Sequence, residues 1–217
     1  MGTKDKGKKL RVGIIGAGRM AYWHLKGYRT VKDAQIVALA GRTETNIKRL
    51  QKKFAIPHTY DSMQAGCHVL CEKPMALALE EAERMIEAEK ATRRILMMGF
   101  SQRFYKEFAL IKEVIDQGQI GAVRVAWYRR GINMPPQKWY TEPDKNGGVS
   151  TELAIHGIDW LRWIMNARVV QVSAESTKHP SHPGIDDNVW MLLKFENGAI
   201  GVVGASFSFP FLKRDIG

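Results

Sequence analysis

Apolar residues at Val12, Ile14 and Ile15 close a run from Leu10 that reads as a short buried strand, and Tyr22–Arg29 follows with helical character. Gln35–Ala40 (QIVALA) reads as a second strand, Glu44–Phe54 as a polar helix and Ile56–Ser62 as a short extended edge. Cys67–Cys71 (CHVLC) is a further strand that runs into Glu72-Lys73-Pro74. Leu77–Ala91 is rich in Ala, Glu and Leu, with apolar positions at Leu79, Ala82, Met85 and Ile86, and predicts a helix. Ile95–Met98 is the next strand, and a helix over Lys106–Gln117 stops at Gly118. The pattern then changes. Val123–Arg129 alternates as a half-exposed strand, Gly131–Gly148 is a Pro- and Gly-rich loop, and a helix spans Ser150 to Asn166. Val169–Thr177, Val189–Phe195 and Ala199–Ser206 are strands, the last two flanking the hairpin signal Glu196-Asn197-Gly198. His179 and His182, in HPSHP, fall in the loop between strands.

The turn after the first strand carries chemistry. Gly16-Ala17-Gly18-Arg19-Met20-Ala21 is a G-x-G-x-x-A sequence set between a strand and a helix. Gly16 permits the tight turn, Gly18 lets a pyrophosphate approach the backbone, and Ala21 lets the helix sit close on the strand. The phosphates of a dinucleotide would rest on the N–H groups at the helix start, beside Arg19 and Met20. In NAD-binding units an acid near the end of the second strand takes the ribose 2′-hydroxyl. Here that position holds Arg42, followed by Thr43. A guanidinium grips a 2′-phosphate bidentately, so the sequence favours NADP(H) over NAD(H). The fold class is α/β: an N-terminal Rossmann domain with a doubly wound parallel sheet, then a C-terminal α+β domain with an open, mostly antiparallel sheet. Residues 1–9 are read as a basic flexible tail, 10–104 as the dinucleotide-binding domain and 105–217 as the substrate domain.

Composition narrows the class further. The chain has 217 residues with 45% hydrophobic residues, enough for two small domains and against disorder. No run approaches the roughly 20 apolar residues of a membrane span, and MGTKDKGKKL has no apolar signal core, so a cytoplasmic protein is expected. Cys67 and Cys71 are too few for a disulfide framework and read as small buried hydrophobes. The net charge is +11, and Lys4, Lys6, Lys8, Lys9 and Arg11 supply part of it. Such a surplus suits an anionic cofactor as well as nucleic acid, and no recognition helix or RNA-binding aromatic signature supports the latter.

Glu152, His156 and Asp159 stand at i, i+4 and i+7, which places all three on one face of the predicted helix. A lone helix histidine is usually structural; an acid one turn before and another one turn after give an imidazole tuned for proton transfer. Four stretches, GIIGAGRMA, AGCHVLCEKPMA, GFSQRF and NGGVSTELAIHGIDWLRW, occur in an order and context that resemble the glucose–fructose oxidoreductase, inositol dehydrogenase and rhizopine-catabolism (Gfo/Idh/MocA) family, over about Leu10 to Ser208. The resemblance implies a Rossmann domain joined to a domain with an open sheet, a dimer or tetramer, and NAD(P)-dependent oxidation or reduction of a sugar, cyclitol or related polyol. It implies His156 as general acid/base, Lys73 polarising the substrate oxygen and ordering the nicotinamide end, and Glu152 in place of the family's aspartate. Glu72 and Pro74 fix the cofactor loop, and Arg103 faces the cofactor and substrate cleft. Asp159 orients or binds substrate. Trp139 and Tyr140, in the long loop near the same mouth, offer either a surface for a sugar ring or lid packing. No metal is implied.

The sequence departs from the family in two places. A helix, a central strand and another helix are missing between the short third strand and Cys67–Cys71, and the family's chain continues past the residues at which this one stops. If the chain folds as given, Val69 is expected to pair directly with the Val12–Ile15 strand. A catalytically degenerate dinucleotide-binding or regulatory member of the family is the alternative function.

Overall fold

Val12 and Ile14 drive the first strand into a parallel sheet, β1 (Leu10–Ile15), β2 (Ala34–Ala40) and β3 (His58–Thr59), in that order. The computed structural model describes residues 9–40, 43–54, 58–59, 67–143, 145–208 and 215–216. Arg42 and residues 1–8 of the basic tail lie outside the described residues. The chain divides into two compact units, residues 1–65 and 66–217.

In the first unit, parallel strands demand a crossover, and α1 (Arg19–Tyr28) and α2 (Glu44–Phe54) supply it. Leu25, Leu39 and Leu50 are fully buried with Ala17 and Ala21 around them. The helix α1 begins earlier than Tyr22 because Arg19 and Met20 are good helix formers that follow directly on the Gly18 cap.

The second unit opens with β4 (Val69–Cys71) and β5 (Leu96–Met98), a parallel pair joined by α3 (Leu79–Thr92). Val69 pairs with Leu96. Among the described residues the hydrogen-bonded neighbour of β4 is β5 and that of β1 is β2, and the pairing expected between Val69 and the Val12–Ile15 strand is not among them. This crossover belongs to the second compact unit. Cys67 is exposed and precedes the strand, which corrects its reading as a buried hydrophobe. Cys71 is half-buried, and burial pushes its thiol pKa up.

Next come α4 (Lys106–Asp116), β6 (Val125–Gly131), α5 (Ile155–Met165), β7 (Val169–His179), β8 (His182–Phe195), β9 (Ile200–Ser206) and β10 (Asp215–Ile216). The strands form one sheet, β10-β6-β9-β8-β7, with β6 and β9 parallel and the other neighbours antiparallel. His179 and His182 are not loop residues: they pair across the β7–β8 hairpin with ring centroids 5.1 Å apart. One face of the sheet packs on α5 through Tyr128, Leu161, Leu193 and Val203. Gly157 makes that approach possible, since a Cβ there would come within 2.5 Å of the Tyr128 ring. The other face is open and carries Trp127, Trp190, Leu192 and Ile200 at its surface.

Phe108 of α4 is 1% exposed and meets the Trp160 ring edge-on at 4.6 Å. Phe108→Ala is expected to cost about 3–5 kcal/mol and lower the melting temperature of the second unit by about 10 °C in a thermal scan. A change within about 2 °C would mean that this ring is not a core element.

Candidate functional site

In the first unit the glycine turn has the geometry that a pyrophosphate needs. Gly16 sits at φ +94°, a left-handed conformation that suits glycine, and its N–H donates to the Ala40 carbonyl at 2.8 Å. A Cβ built on Gly16 or Gly18 meets nothing within 4 Å, so open space lies before the turn. No side chain caps α1 at Gly18, and the first turn of α1 holds no acid. Its positive end is thus left available to a ligand anion. Ala17 and Ala21 are buried, which holds helix and strand together. Met20 and Thr43 are exposed.

In the second unit, β4 and β5 are parallel, so their carboxyl ends lie side by side, the end at which open α/β sheets bind ligands. Glu72, Lys73 and Pro74 leave the end of β4, and Phe100 and Arg103 leave the end of β5, with Gly99 N–H donating to the Cys71 carbonyl at 2.7 Å. Over this end sits the segment that carries Glu152 and His156. It starts as a π-helical turn, Ser150–Ala154, and continues as α5. The Lys73 ammonium holds Glu152 twice, donating to its main-chain carbonyl at 3.1 Å and reaching Oε1 of its carboxylate at 2.9 Å. Both side chains are largely withdrawn from water, at 14% and 20% exposure. Tyr140, buried in the 3-10 turn Lys138–Thr141, donates its hydroxyl to the same Oε1 at 3.3 Å. The Trp139 ring stacks on Tyr140 at 3.8 Å and remains 42% exposed. His156 is buried, with the Phe100 ring edge-on at 6.4 Å.

The π-helical turn is positioned by a capping arrangement that the sequence reading missed. Asp186, at the start of β8, accepts hydrogen bonds from the N–H of Ser150 at 3.2 Å and from its hydroxyl. Gly148, at φ +75°, lies so close to Asp186 that a Cβ would collide with its carboxylate. The neighbouring Asp187 is buried; burial by itself raises a carboxyl pKa, but hydrogen bonds from Thr177, Ser208 and Asn188 outweigh it and hold Asp187 below the ordinary range.

Among the residues picked out by the sequence, Lys73, Glu152, His156 and Trp139 come together at this end of the second unit. Arg103 and Asp159 are joined to each other instead. The Arg103 Nε donates to Asp159 Oδ2 at 2.8 Å, and a second bond links Nη2 to Oδ1. Arg103 also lies over the Trp163 ring at 5.4 Å. Hydrogen bonding to Asp159 raises the guanidinium pKa further, so this pair is a charged latch between the turn after β5 and α5. The expected single face of Glu152, His156 and Asp159 is divided: Glu152 belongs to the π-helical turn and partners Lys73, whereas Asp159 partners Arg103.

The family model described as an oxidoreductase family with an NAD-binding Rossmann fold matches residues 10–64 and 57–100, and the GFO/IDH/MocA C-terminal domain model matches residues 108–215. Myo-inositol 2-dehydrogenase of Thermotoga maritima is 28% identical over 230 residues, which cover 91% of this chain and 68% of that protein. That alignment is longer than the chain itself, so it includes residues of the relative with no counterpart here. Inositol 2-dehydrogenase 2 of Saccharopolyspora erythraea is 30% identical over 90% of the chain and 55% of its own length. A crystal structure of a probable dehydrogenase from Thermotoga maritima superposes with a TM-score of 0.82 at 27% identity, over 91% of this chain and 68% of that one. The chain therefore belongs to the Gfo/Idh/MocA oxidoreductase family, with that family's NAD-binding Rossmann fold and C-terminal domain.

Proposed function

We propose that this chain moves a hydride between a nicotinamide cofactor and a hydroxyl-bearing carbon of a sugar, cyclitol or related polyol. The carrying observation is the docking of Lys73 on Glu152, in the turn just ahead of His156. Gly16, Ala17, Gly18 and the first turn of α1 would hold the pyrophosphate. When bound, the cofactor supplies the hydride acceptor or donor. Lys73 polarises the reacting oxygen and stabilises negative charge as it develops there. His156 takes or returns the hydroxyl proton as general base or acid. Glu152 keeps Lys73 in place, and the exposed face of Trp139 receives the apolar face of a sugar ring. The names of the inositol dehydrogenases to which the chain is similar support this substrate class.

NADP(H) is the preferred cofactor in this reading, because Arg42 and Thr43 stand where other units place an acid. A second copy of the chain covers the open sheet face, whose exposed Trp127, Trp190, Leu192 and Ile200 support a homo-oligomer. The reading is tested by nicotinamide fluorescence titration, followed by a turnover assay on a polyol panel that includes myo-inositol. NADPH should bind about tenfold or more tightly than NADH, as expected for one charged 2′-phosphate contact. Equal binding would remove the role given to Arg42. The interrupted match to the Rossmann model favours a second reading, a degenerate member that binds the cofactor and turns over nothing. Tight binding with no activity on any polyol would establish that reading.

A further inference from the structure

We infer that Tyr140 is a positioning residue that ties the aromatic sugar platform to the Lys73–Glu152 pair. This deepens the proposed function and rests on it. Tyr140 has two faces of work. Its ring lies under Trp139 at 3.8 Å and meets Phe207 edge-on at 6.2 Å, which fixes it in the wall of the second unit. Its hydroxyl donates to Glu152 Oε1, the oxygen that also receives Lys73. Glu152 has flexible side-chain torsions of its own, and a single ammonium does not define its rotamer. With the main-chain carbonyl of Glu152 also bound to Lys73, the phenol is the contact that selects the carboxylate position at which Lys73 is gripped by both oxygens. Trp139 and Tyr140 are consecutive in one 3-10 turn, so a ring docking on Trp139 bears on the residue that sets Glu152.

The test uses the full chain without substrate. Trace reductive dimethylation with formaldehyde and dimethylamine-borane, read by peptide mass spectrometry, reports how firmly each lysine is held. Lys112 is the internal standard, because its side chain is 15% exposed and ion-paired to Asp116 elsewhere in the same unit. Tyr140→Phe keeps the ring packing and removes only the hydroxyl. Lys73 labelling should rise about three- to tenfold, the range for loss of one ordinary hydrogen bond, while Lys112 labelling stays constant. In turnover with NADP+ and myo-inositol, kcat should fall by a similar factor with both KM values within about twofold. Unchanged Lys73 labelling in Tyr140→Phe overturns the inference, and so does a parallel rise at Lys73 and Lys112, which would signal general loosening. Labelling needs no turnover. A selective rise in a protein inactive on every polyol of the panel upholds the role of Tyr140 while removing the proposed function.

Discussion

Replacing Lys73 by methionine is expected to lower kcat by about two to four orders of magnitude for whichever polyol the wild-type chain turns over, the usual range for removing a charge-stabilising group or a general acid–base partner. The methionine keeps the length and apolar stem of lysine but removes the ammonium. Glu152 is then left with a carboxylate at 20% exposure and no cation on it, so some stability is lost as well. Affinity for NADPH, measured by fluorescence with no polyol present, should change far less than kcat. The glycine turn and α1, where the pyrophosphate is proposed to sit, do not involve Lys73. A methionine variant with wild-type kcat would take Lys73 out of the chemistry, whatever the family resemblance implies.

Gly148→Ala is expected to destabilise the second unit by about 1.5–4 kcal/mol, from left-handed strain of about 1–2 kcal/mol and loss of a capping contact of about 0.5–2 kcal/mol. Gly148 is at φ +75°, and its new methyl group would displace the Asp186 carboxylate from Ser150. The melting temperature should fall by about 2–4 °C for each kcal/mol. Because Ser150 begins the turn that carries Glu152, activity should fall with stability. Gly118→Ala provides the contrast. Gly118 shares the left-handed backbone, at φ +70°, but a Cβ there would meet nothing within 4 Å, so the cost should stay at about 1–2 kcal/mol of strain. Equal effects at the two glycines, measured by thermal melting and kcat together, would show that Asp186 does not hold this turn.

The division between what the sequence revealed and what it hid follows the range of the forces involved. The glycine turn was legible because strand, turn and helix are adjacent, and Gly16, Gly18 and Ala21 each answer a local steric demand. The helix over Glu44–Phe54 was read to its observed ends, since its polar residues and turn signals lie in one short window. Lys73 and His156 were placed in one site by resemblance, and the structure puts Lys73 on the turn next to His156. The partners themselves were not legible. Lys73 and Glu152 are separated by 79 residues, and Arg103 and Asp159 by 56, and no periodicity carries such a distance. A 3.6-residue repeat placed Glu152, His156 and Asp159 on one face, but a π-helical turn at Ser150–Ala154 breaks that repeat. Tyr140 stood beside Trp139 in a long loop, where an aromatic pair signals packing or a platform; the reach of its hydroxyl to Glu152 appears only when the loop is folded onto the helix. The strand at Cys67–Cys71 was recognised as a strand, yet its neighbour β5 was not named, because the pairing of parallel strands is set across the 14-residue helix α3 rather than within one short window.

The π-helical turn ahead of α5 also sets how this site can drift over evolutionary time. Such a turn holds one residue more than the α-helix it interrupts. Loss of a single codon between Glu152 and Ile155 would restore an unbroken helix, take Leu153 or Ala154 out of the core and change the position from which Glu152 meets Lys73. In this architecture one in-frame deletion would fall on the Lys73–Glu152 pair and on the core together.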